Sequence, residues 1–221
     1  MTRCVLKNNN ISFKRNTFKI EYFKDENLVG AFDFPMIDKV EKQNIERVSP
    51  FNIFKSNVDN GAWVHFFIDD YQFERLWQNP TQFLKLLSKA KGIITTDFSM
   101  YQDMPKAMQI YNCYRNRALA RYFQTQGLNI IPAVGWSDAD SLKWCFEGIA
   151  KGSTVAISTN GCMQNKEALK GFLTGFNRML EELDPCQIIL VGRVPEELRN
   201  NDKIKCFANY SQTFANLTKE R

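Results

Sequence analysis

Short apolar runs alternate with helical stretches through the last two-thirds of this chain, and this alternation limits its fold more than any other feature. Strands that alternate with helices form a mainly parallel sheet with right-handed crossovers. The sequence therefore predicts an α/β fold built from βα-type units. The predicted strands are Trp63 to Ile68, Gly92 to Thr96, Leu128 to Val134, Thr154 to Ser158, Gln187 to Val191 and Ile204 to Ala208.

The number of strands leaves two arrangements of the sheet open. Six strong strands, with one or two from the N-terminal region, come close to the eight of a (β/α) barrel, although such a barrel usually takes about 250 residues. This chain has 221 residues. We expect a compact or incomplete barrel-like sheet, and the alternative is an open doubly wound sheet.

Residues 1–60 follow a different pattern. The alternating stretch Phe18 to Phe23 and the run Leu28 to Phe34 predict a hairpin that turns at residues 25–27. We therefore assign residues 1–60 to an N-terminal β element packed on the main domain, and residues 61–221 to the α/β domain.

Three predicted helices carry start or stop signals. Asn79 and Pro80 predict the start of one helix, and Ser137 with Asp140 approximates a capping box at the start of another. The third has the clearest amphipathic stripe in the chain and ends at Asp184 and Pro185. Its apolar positions are Leu169, Phe172, Phe176, Leu180 and Leu183.

The composition is that of a soluble protein. Hydrophobic residues make up 44% of the chain and charged residues 24%, which is ordinary for a globular domain. No apolar run approaches the roughly 20 residues of a membrane span, and the polar start lacks a secretory signal. The six cysteines occur without a CxxC pair, as expected for reduced thiols. We therefore expect a cytoplasmic protein with no membrane partner.

The net charge of +5 is compatible with an anionic ligand, but lysine and arginine are not gathered into long runs. A general contribution to solubility explains the excess equally well. The charge alone leaves nucleic acid open as a partner.

Three carboxylates follow two neighbouring predicted strands. Asp69 and Asp70 come after one strand, and Asp97 follows the next. Carboxylates that meet in this way share a proton, hold a hard cation such as magnesium or manganese, or pair with a cationic side chain. All three are candidate catalytic residues, and Asp69 and Asp97 are candidate metal ligands. The structural alternative makes Asp70 a helix N-cap and Asp69 a surface residue.

Arg115 lies within the apolar face of a helix predicted from Met104 to Gln124. A guanidinium cannot lose its proton, so a buried arginine needs a carboxylate, carbonyl oxygens or an anionic ligand. We predict that Arg115 is buried and bonds to one of the three aspartates, and we take it and Asn112 as candidate ligand-binding residues. The rest of the predicted apolar face is Ala107, Met108, Tyr111, Ala118, Leu119 and Tyr122.

Arg117 and Arg121 fall on another face of the same helix, four residues apart. Charged residues at this spacing usually lie in solvent. We expect both to be exposed.

Two turns after late strands suit an anion. Ser158 to Gly161, which includes Asn160, follows one strand, and Arg193 follows the next. Free backbone N–H groups in such turns bind phosphate or carboxylate, although small residues are common there for conformational reasons alone. Trp136 offers an aromatic wall for a base or sugar, or simply packs under a loop. Ser158, Asn160, Gly161, Arg193 and Trp136 complete the candidate ligand site.

The single histidine, His65, lies within a predicted strand among aromatic residues. A buried, hydrogen-bonded imidazole is expected there rather than a general base. With one histidine, multi-histidine metal sites are excluded, and no Walker A, GxGxxG or HExxH motif is present.

Four segments in this order resemble an uncharacterised family, the domain of unknown function numbered 4417. The segments are His65–Glu74, Asp97–Tyr101, Asn112–Leu119 and Ile130–Trp136. The resemblance covers Phe51 to Asn209 and leaves the N-terminal region outside. Thr96 departs from the proline expected before Asp97.

The resemblance implies a setting in bacteria, their phages or mobile elements, and no established activity accompanies it. A phage setting favours nucleic-acid metabolism or interference with host defence by association.

The leading hypothesis is that the protein binds a phosphate-bearing ligand, such as a nucleotide or a nucleic-acid end. An extension of this hypothesis is that the protein also hydrolyses the ligand. The aspartates would hold a cation or act as acid and base, and the arginines would neutralise phosphate. The alternative is a non-enzymatic protein that sequesters a nucleotide signal or a host protein. A carbohydrate hydrolase with paired carboxylates also fits barrel geometry, without distinctive sequence support.

Overall fold

The protein is described by a computed structural model that covers residues 27–209. Nine strands occur in these residues. Two form an antiparallel pair and seven are parallel. Their bounds are β1 Leu28–Val29, β2 Phe34–Pro35, β3 Arg47–Pro50, β4 Ala62–His65, β5 Gly92–Ile94, β6 Ile130–Ile131, β7 Thr154–Ser158, β8 Gln187–Val191 and β9 Ile204–Phe207.

Five α-helices connect the strands of the described region, together with three short 3₁₀ turns. The helices are α1 Phe51–Phe54, α2 Glu74–Gln78, α3 Thr81–Leu87, α4 Lys106–Thr125 and α5 Lys166–Leu183. The 3₁₀ turns are Asp70–Gln72, Ser141–Lys143 and Glu196–Leu198. None of these helices combines the length and the apolar character that crossing a membrane requires.

The parallel strands fall into two sheets, β3-β4-β5-β6 and β7-β8-β9. The sheets meet at one isolated parallel bridge between Ala133 and Ala156. Two hydrogen bonds hold it, from the Val134 amide to the Ala156 carbonyl and from the Ala156 amide to the Pro132 carbonyl. The strands stand side by side in chain order, and the sheet does not close into a barrel within the described residues. The predicted α/β class with mainly parallel pairing is confirmed.

Two late strands match their predicted bounds, since β7 and β8 are apolar, β-branched runs that are almost wholly buried. The earlier strands are shorter than predicted. The run to Ile68 is a strand only as far as His65, and the run from Leu128 is a strand only over Ile130–Ile131. After His65 the chain leaves the strand ladder and enters a loop. After Ile131 it leaves β6 and forms the bridge to Ala156 in the second sheet.

The predicted N-terminal hairpin is partly wrong. The stretch Phe18–Phe23 lies outside the described residues, and the run from Leu28 to Phe34 is not one strand. It folds back on itself as β1 and β2, because Gly30 and Asp33 both take positive φ angles, of 73° and 55°. Later in this region, β3 pairs in parallel with β4 and forms the edge of the first sheet.

The predicted capping box is wrong. The Ser137 amide donates to the Ser141 hydroxyl, and the Asp138 carboxylate, not Asp140, accepts from the Ser141 amide. Only the 3₁₀ turn Ser141–Lys143 forms there, rather than a helix. The third helix, α5, has its predicted buried stripe, and Asp184 ends it in the left-handed conformation.

The predicted apolar face of α4 is confirmed only in its second half, where Ala118 and Leu119 are buried. Ala107, Met108 and Tyr111 are exposed, whereas polar residues of the same helix are buried. The buried face of the helix is mixed, because its amide and guanidinium side chains form hydrogen bonds to the loops that follow the strands. The buried polar residues are Gln109, Asn112, Arg115, Asn116 and Arg117.

Candidate functional site

A cleft of about 660 Å³ opens at the carboxyl ends of the parallel strands. Its walls come from the loops after β4, β5, β6 and β7 and from the first turns of α5, so both sheets contribute. Parallel strands deliver the residues that follow them to one edge, which is why these loops converge. The candidate residues among its lining are Asp69, Asp97, Trp136, Ser158, Asn160 and Gly161.

Asp97 is the most perturbed carboxylate of the cleft. Asp97 lines the cavity, but protein surrounds most of it. Burial, followed by the nearby Asp70 charge and against a smaller opposing effect of Arg117, raises its pKa to about 7. A Cβ added at Gly135 would lie 3.1 Å from its Oδ1 atom. Among the hydrogen bonds of residues 27–209, none involves this carboxylate. Asp97 thus retains its full accepting capacity toward the cleft.

Asp69 and Asp70 point to different surroundings, as adjacent residues of an extended chain do. Asp69 is exposed and lines the cleft, and its carboxylate accepts a long bond of 3.4 Å from the Gln72 side-chain amide. Asp70 accepts from both the amide and the hydroxyl of Ser99, at 3.0 and 2.9 Å. Burial raises the pKa of Asp70, and these bonds oppose the shift. Neither side chain caps the 3₁₀ turn that follows, so the predicted N-cap role of Asp70 is wrong.

Arg115 is buried as predicted, with a relative exposure of 8%, but its partner is a residue that the sequence analysis did not consider. Its Nη1 donates to both carboxylate oxygens of Glu74 at 2.9 and 2.8 Å, and its Nη2 donates to Asn112 at 2.7 Å. The guanidinium lies 3.6 Å from the centre of the Phe98 ring. The predicted bond to Asp69, Asp70 or Asp97 is absent from the described contacts. Glu74 is the first residue of α2, shortly after the 3₁₀ turn that carries Asp70.

Asn112 and Asn116 hold the loop that carries Asp97. The Asn112 side chain donates to the Ser99 carbonyl at 2.6 Å. Asn116 accepts from the Phe98 amide at 2.8 Å and donates back to the Phe98 carbonyl. The two asparagines are one helical turn apart and face the same loop. Asn112 and Arg115 therefore position the cleft wall, and neither lines the cleft itself.

Arg117 is buried, with a relative exposure of 2%, so its predicted exposure is wrong. Its guanidinium donates to three backbone carbonyls, of Ala133, Cys145 and Glu147. These carbonyls belong to the segment between β6 and β7, which contains no α-helix whose backbone N–H groups would bond to them. Arg121 is mostly covered and pairs with Asp38, so it is not a free surface charge either.

The turn from Ser158 to Gly161 is tied to its neighbours rather than open for an anion. The Ser158 hydroxyl donates to the Val191 carbonyl and accepts from the Asn160 amide. The Asn160 side chain donates to the Phe67 carbonyl at 3.1 Å, which links the ends of the two sheets. The following helix starts only at Lys166, and the Asn165 side chain caps it. The turn therefore precedes a helix but does not lead directly into its N-terminus.

Trp136 and Arg193 have different positions. Trp136 lines the cleft and packs on Phe172 of α5, with ring centres 5.4 Å apart. A Cβ at Gly175 would lie 2.1 Å from the Trp136 Nε1 atom, so the indole rests on this glycine. Arg193 is exposed and does not line the cleft, although its carbonyl accepts from Thr159. Because parallel strands deliver the residues that follow them to one edge, five residues that each follow a separate strand were expected on one concave surface: Asp69, Asp97, Trp136, Ser158 and Arg193. The first four line the cleft, and Arg193 does not.

Several lining residues carried no signal in the sequence. Cys162 lines the cleft, and burial together with the Asp97 charge raises the pKa of its thiol to about 11. Gly135 admits the Asp97 carboxylate, and Phe172 supports the tryptophan. The spacing of Asn112 and Asn116 was visible in the sequence, but asparagines within a helix usually indicate a face that is exposed to solvent.

The lining combines carboxylates, hydroxyls, amides and aromatic rings, and contains neither lysine nor arginine. Within residues 27–209, no group of three or more potential metal-ligating side chains converges. A phosphate here would need a cation carried in with it. Magnesium is commonly held by one or two carboxylates plus substrate phosphates, and Asp69 at the exposed rim is available for that role.

The fold and the cleft define an α/β protein with its candidate site at the carboxyl ends of parallel strands. The family model described as Domain of unknown function (DUF4417) matches residues 26–211, so the chain belongs to that family. The match starts well before Phe51, so the N-terminal limit inferred from the resemblance was too narrow.

Two relatives come from phages. The chain is 37% identical over 135 residues to the Gene 1 protein of Mycobacterium phage L5, covering 61% of this chain and 59% of that protein. It is 36% identical over 135 residues to the Gene 1 protein of Mycobacterium phage D29, covering 61% of this chain and 50% of that protein. The matched part thus spans between half and three-fifths of each relative. No solved structure matches this chain.

Proposed function

We propose that this chain is a cytoplasmic protein of phage or mobile-element type that binds a phosphate-bearing ligand, a nucleotide or a nucleic-acid end, in the cleft. The observation that carries the proposal is the convergence of an unpartnered carboxylate, an exposed carboxylate and an aromatic wall in a cavity of about 660 Å³. Small-molecule sites usually enclose about 300–1,000 Å³ and combine apolar walls with a few polar groups.

The distribution of charge orients the ligand. Asp97 and Trp136 form the more enclosed part, and Asp69 stands at the rim. Because the lining contains no lysine or arginine, the phosphate lies toward the rim with a divalent cation held by Asp69. Asp97 was also predicted from the sequence to be a ligand of this cation. Asp69 is exposed at the rim whereas Asp97 is more enclosed, which favours Asp69 as the metal ligand.

The test is thermal stability with nucleoside mono-, di- and triphosphates and with 5′-phosphorylated oligonucleotides, each with and without magnesium or manganese. A ligand that binds only the folded chain raises the melting temperature by mass action. We expect stabilisation that needs the divalent ion and is lost in Asp69→Asn. Asp103→Asn is the control, because Asp103 is exposed and outside the cleft lining. Stabilisation by none of these ligands would overturn the proposal.

Hydrolysis of the bound ligand is a second candidate, favoured by Asp97. A carboxylate with a pKa of about 7 can act as a general base near neutral pH. It would accept a proton from water, whose oxygen bonds to phosphorus while the bond to the leaving oxygen breaks. Phosphate release measured with each ligand separates this activity from simple binding. Binding without turnover supports the alternative of a non-enzymatic protein that sequesters a nucleotide signal, and binding of a host protein instead would appear in pull-down experiments.

A further inference from the structure

The enclosed part of the cleft presents a specific set of hydrogen-bonding groups. The Asp97 carboxylate offers two accepting oxygens, and no hydrogen bond within residues 27–209 uses them. Its Oδ1 lies close to the backbone of Gly135, the residue before Trp136. Asp97 and Trp136 both line the cleft, so the same cavity offers a carboxylate and an aromatic ring to a ligand.

An ionised carboxylate only accepts hydrogen bonds, and its two oxygens match two parallel N–H donors. Among the common bases, guanine presents such a pair on its Watson–Crick edge, at N1 and at the exocyclic N2. Adenine presents one donor beside one acceptor there, which leaves one carboxylate oxygen facing a lone pair. The absence of lysine and arginine from the lining leaves Asp97 free for a neutral base with paired donors.

We propose that the cleft selects guanine nucleotides, with the Asp97 carboxylate accepting from N1–H and N2–H and Trp136 lying against the ring. The inference rests on the proposed function, because it names the ligand class for the same cleft. It makes Asp97 a recognition residue, and this role competes with the hydrolytic role described above.

The surrounding loops are built to hold these groups in place. Asn116 clamps both backbone groups of Phe98, the residue after Asp97. Asp70 and Asn112 fix Ser99 from two sides. Trp136 is seated on Phe172 and on the bare backbone of Gly175. A site whose polar groups are fixed before binding discriminates strongly against a ligand that leaves one of them unpaired.

The experiment measures the affinities of GMP, IMP and AMP by isothermal titration calorimetry in the presence of magnesium. IMP has N1–H but lacks the exocyclic amine, so it removes one of the two donors. We expect GMP to bind about tenfold more tightly than IMP and more tightly still than AMP, because each lost charge-assisted bond leaves an acceptor unpaired. This comparison uses the natural chain and does not depend on any variant folding.

The second arm uses Asp97→Asn, whose side chain offers one donor in place of an acceptor, with Asp103→Asn as the control. We expect Asp97→Asn to lose the preference for GMP over AMP and the control to keep it. Nucleotides that bind with equal affinity whatever the base would overturn the guanine assignment and leave the proposed function standing. Failure of GMP, IMP and AMP to bind while 5′-phosphorylated oligonucleotides still stabilise the chain would likewise overturn only the guanine assignment. Failure of both nucleotides and 5′-phosphorylated oligonucleotides, with magnesium or without, would overturn the proposed function as well.

Discussion

Replacing Asp97 by asparagine should stabilise the protein, and more at high pH than at low pH. Burial raises the pKa of Asp97 from 3.8 to about 7. The folded state therefore holds this proton over a pH range in which the unfolded chain has released it. Folding stability accordingly falls as the pH rises from the unfolded pKa to the folded pKa, and the full cost is present above pH 7 or so. Asparagine carries no charge, so it avoids this cost.

The magnitude follows from the two pKa values. One pKa unit corresponds to about 1.4 kcal/mol, so the ionised Asp97 costs at most about 4 kcal/mol near pH 8. Near pH 5 only the shorter interval above the unfolded pKa counts, and the cost is about 1.6 kcal/mol. The gain from Asp97→Asn should therefore increase by about 2.7 kcal/mol between these two pH values, which corresponds to the interval from pH 5 to the folded pKa.

Urea unfolding of both chains at about pH 5 and pH 8 measures this difference directly. Asp103→Asn is the matched control, because it makes the same chemical change at an exposed aspartate outside the cleft lining. An Asp97→Asn chain that is less stable than the natural one at the higher pH would refute the reasoning. So would a gain that is equal at both pH values, since it would show that the native pKa is not raised. A confirmed gain would mean that the natural chain keeps a destabilising carboxylate in the cleft, as functional sites often do.

Three other changes test the packing around the cleft. Arg117→Met should cost about 3–5 kcal/mol in urea unfolding, because three buried carbonyls lose their donor at about 1–3 kcal/mol each; a cost below 1 kcal/mol or so would contradict this role for the guanidinium. Gly175→Ala should destabilise the chain and change its near-UV circular dichroism, because the new Cβ would meet Trp136. Gly171→Ala, the same change one turn earlier with no atom within 4 Å, should be neutral or stabilising. Cys162 should react slowly with iodoacetamide at about pH 8, because its thiol has a pKa of about 11 and little of it is thiolate; rapid alkylation of Cys162 in the folded chain would contradict the raised pKa.

The strands that could be predicted from the sequence are those whose own composition is sufficient to specify them. Thr154–Ser158 and Gln187–Val191 are continuous apolar runs that are buried on both faces, and their bounds were predicted correctly. Arg47–Pro50 was missed, because RVSP has no apolar run and becomes a strand only by pairing with β4. The edge of the sheet is thus set by a partner and not by local propensity.

The convergence of Asp69, Asp97, Trp136 and Ser158 was predictable because it follows from parallel topology alone. The partners of individual side chains were not. Arg115 bonds to Glu74 instead of an aspartate, and Arg117 is buried on carbonyls that only the folded segment after β6 presents. A helical wheel treats every polar residue as a reason for exposure, so it cannot recognise a helix whose amides and guanidinium groups satisfy the backbone of neighbouring loops. The same limitation concealed Asn116.

The chain-order arrangement of the seven parallel strands bears on how the protein is made. During synthesis each new strand emerges when the neighbour it will pair with has already been translated, from β3 through to β9. No strand of this array has to wait for a distant segment, and sheet contacts grow outward from one edge. Such growth keeps loop-closure costs small at each step and limits the time for which an unpaired edge is exposed to other chains. A ribosome-bound fragment that ends after β6 would already contain the complete first sheet and the helix that fixes the Asp97 loop.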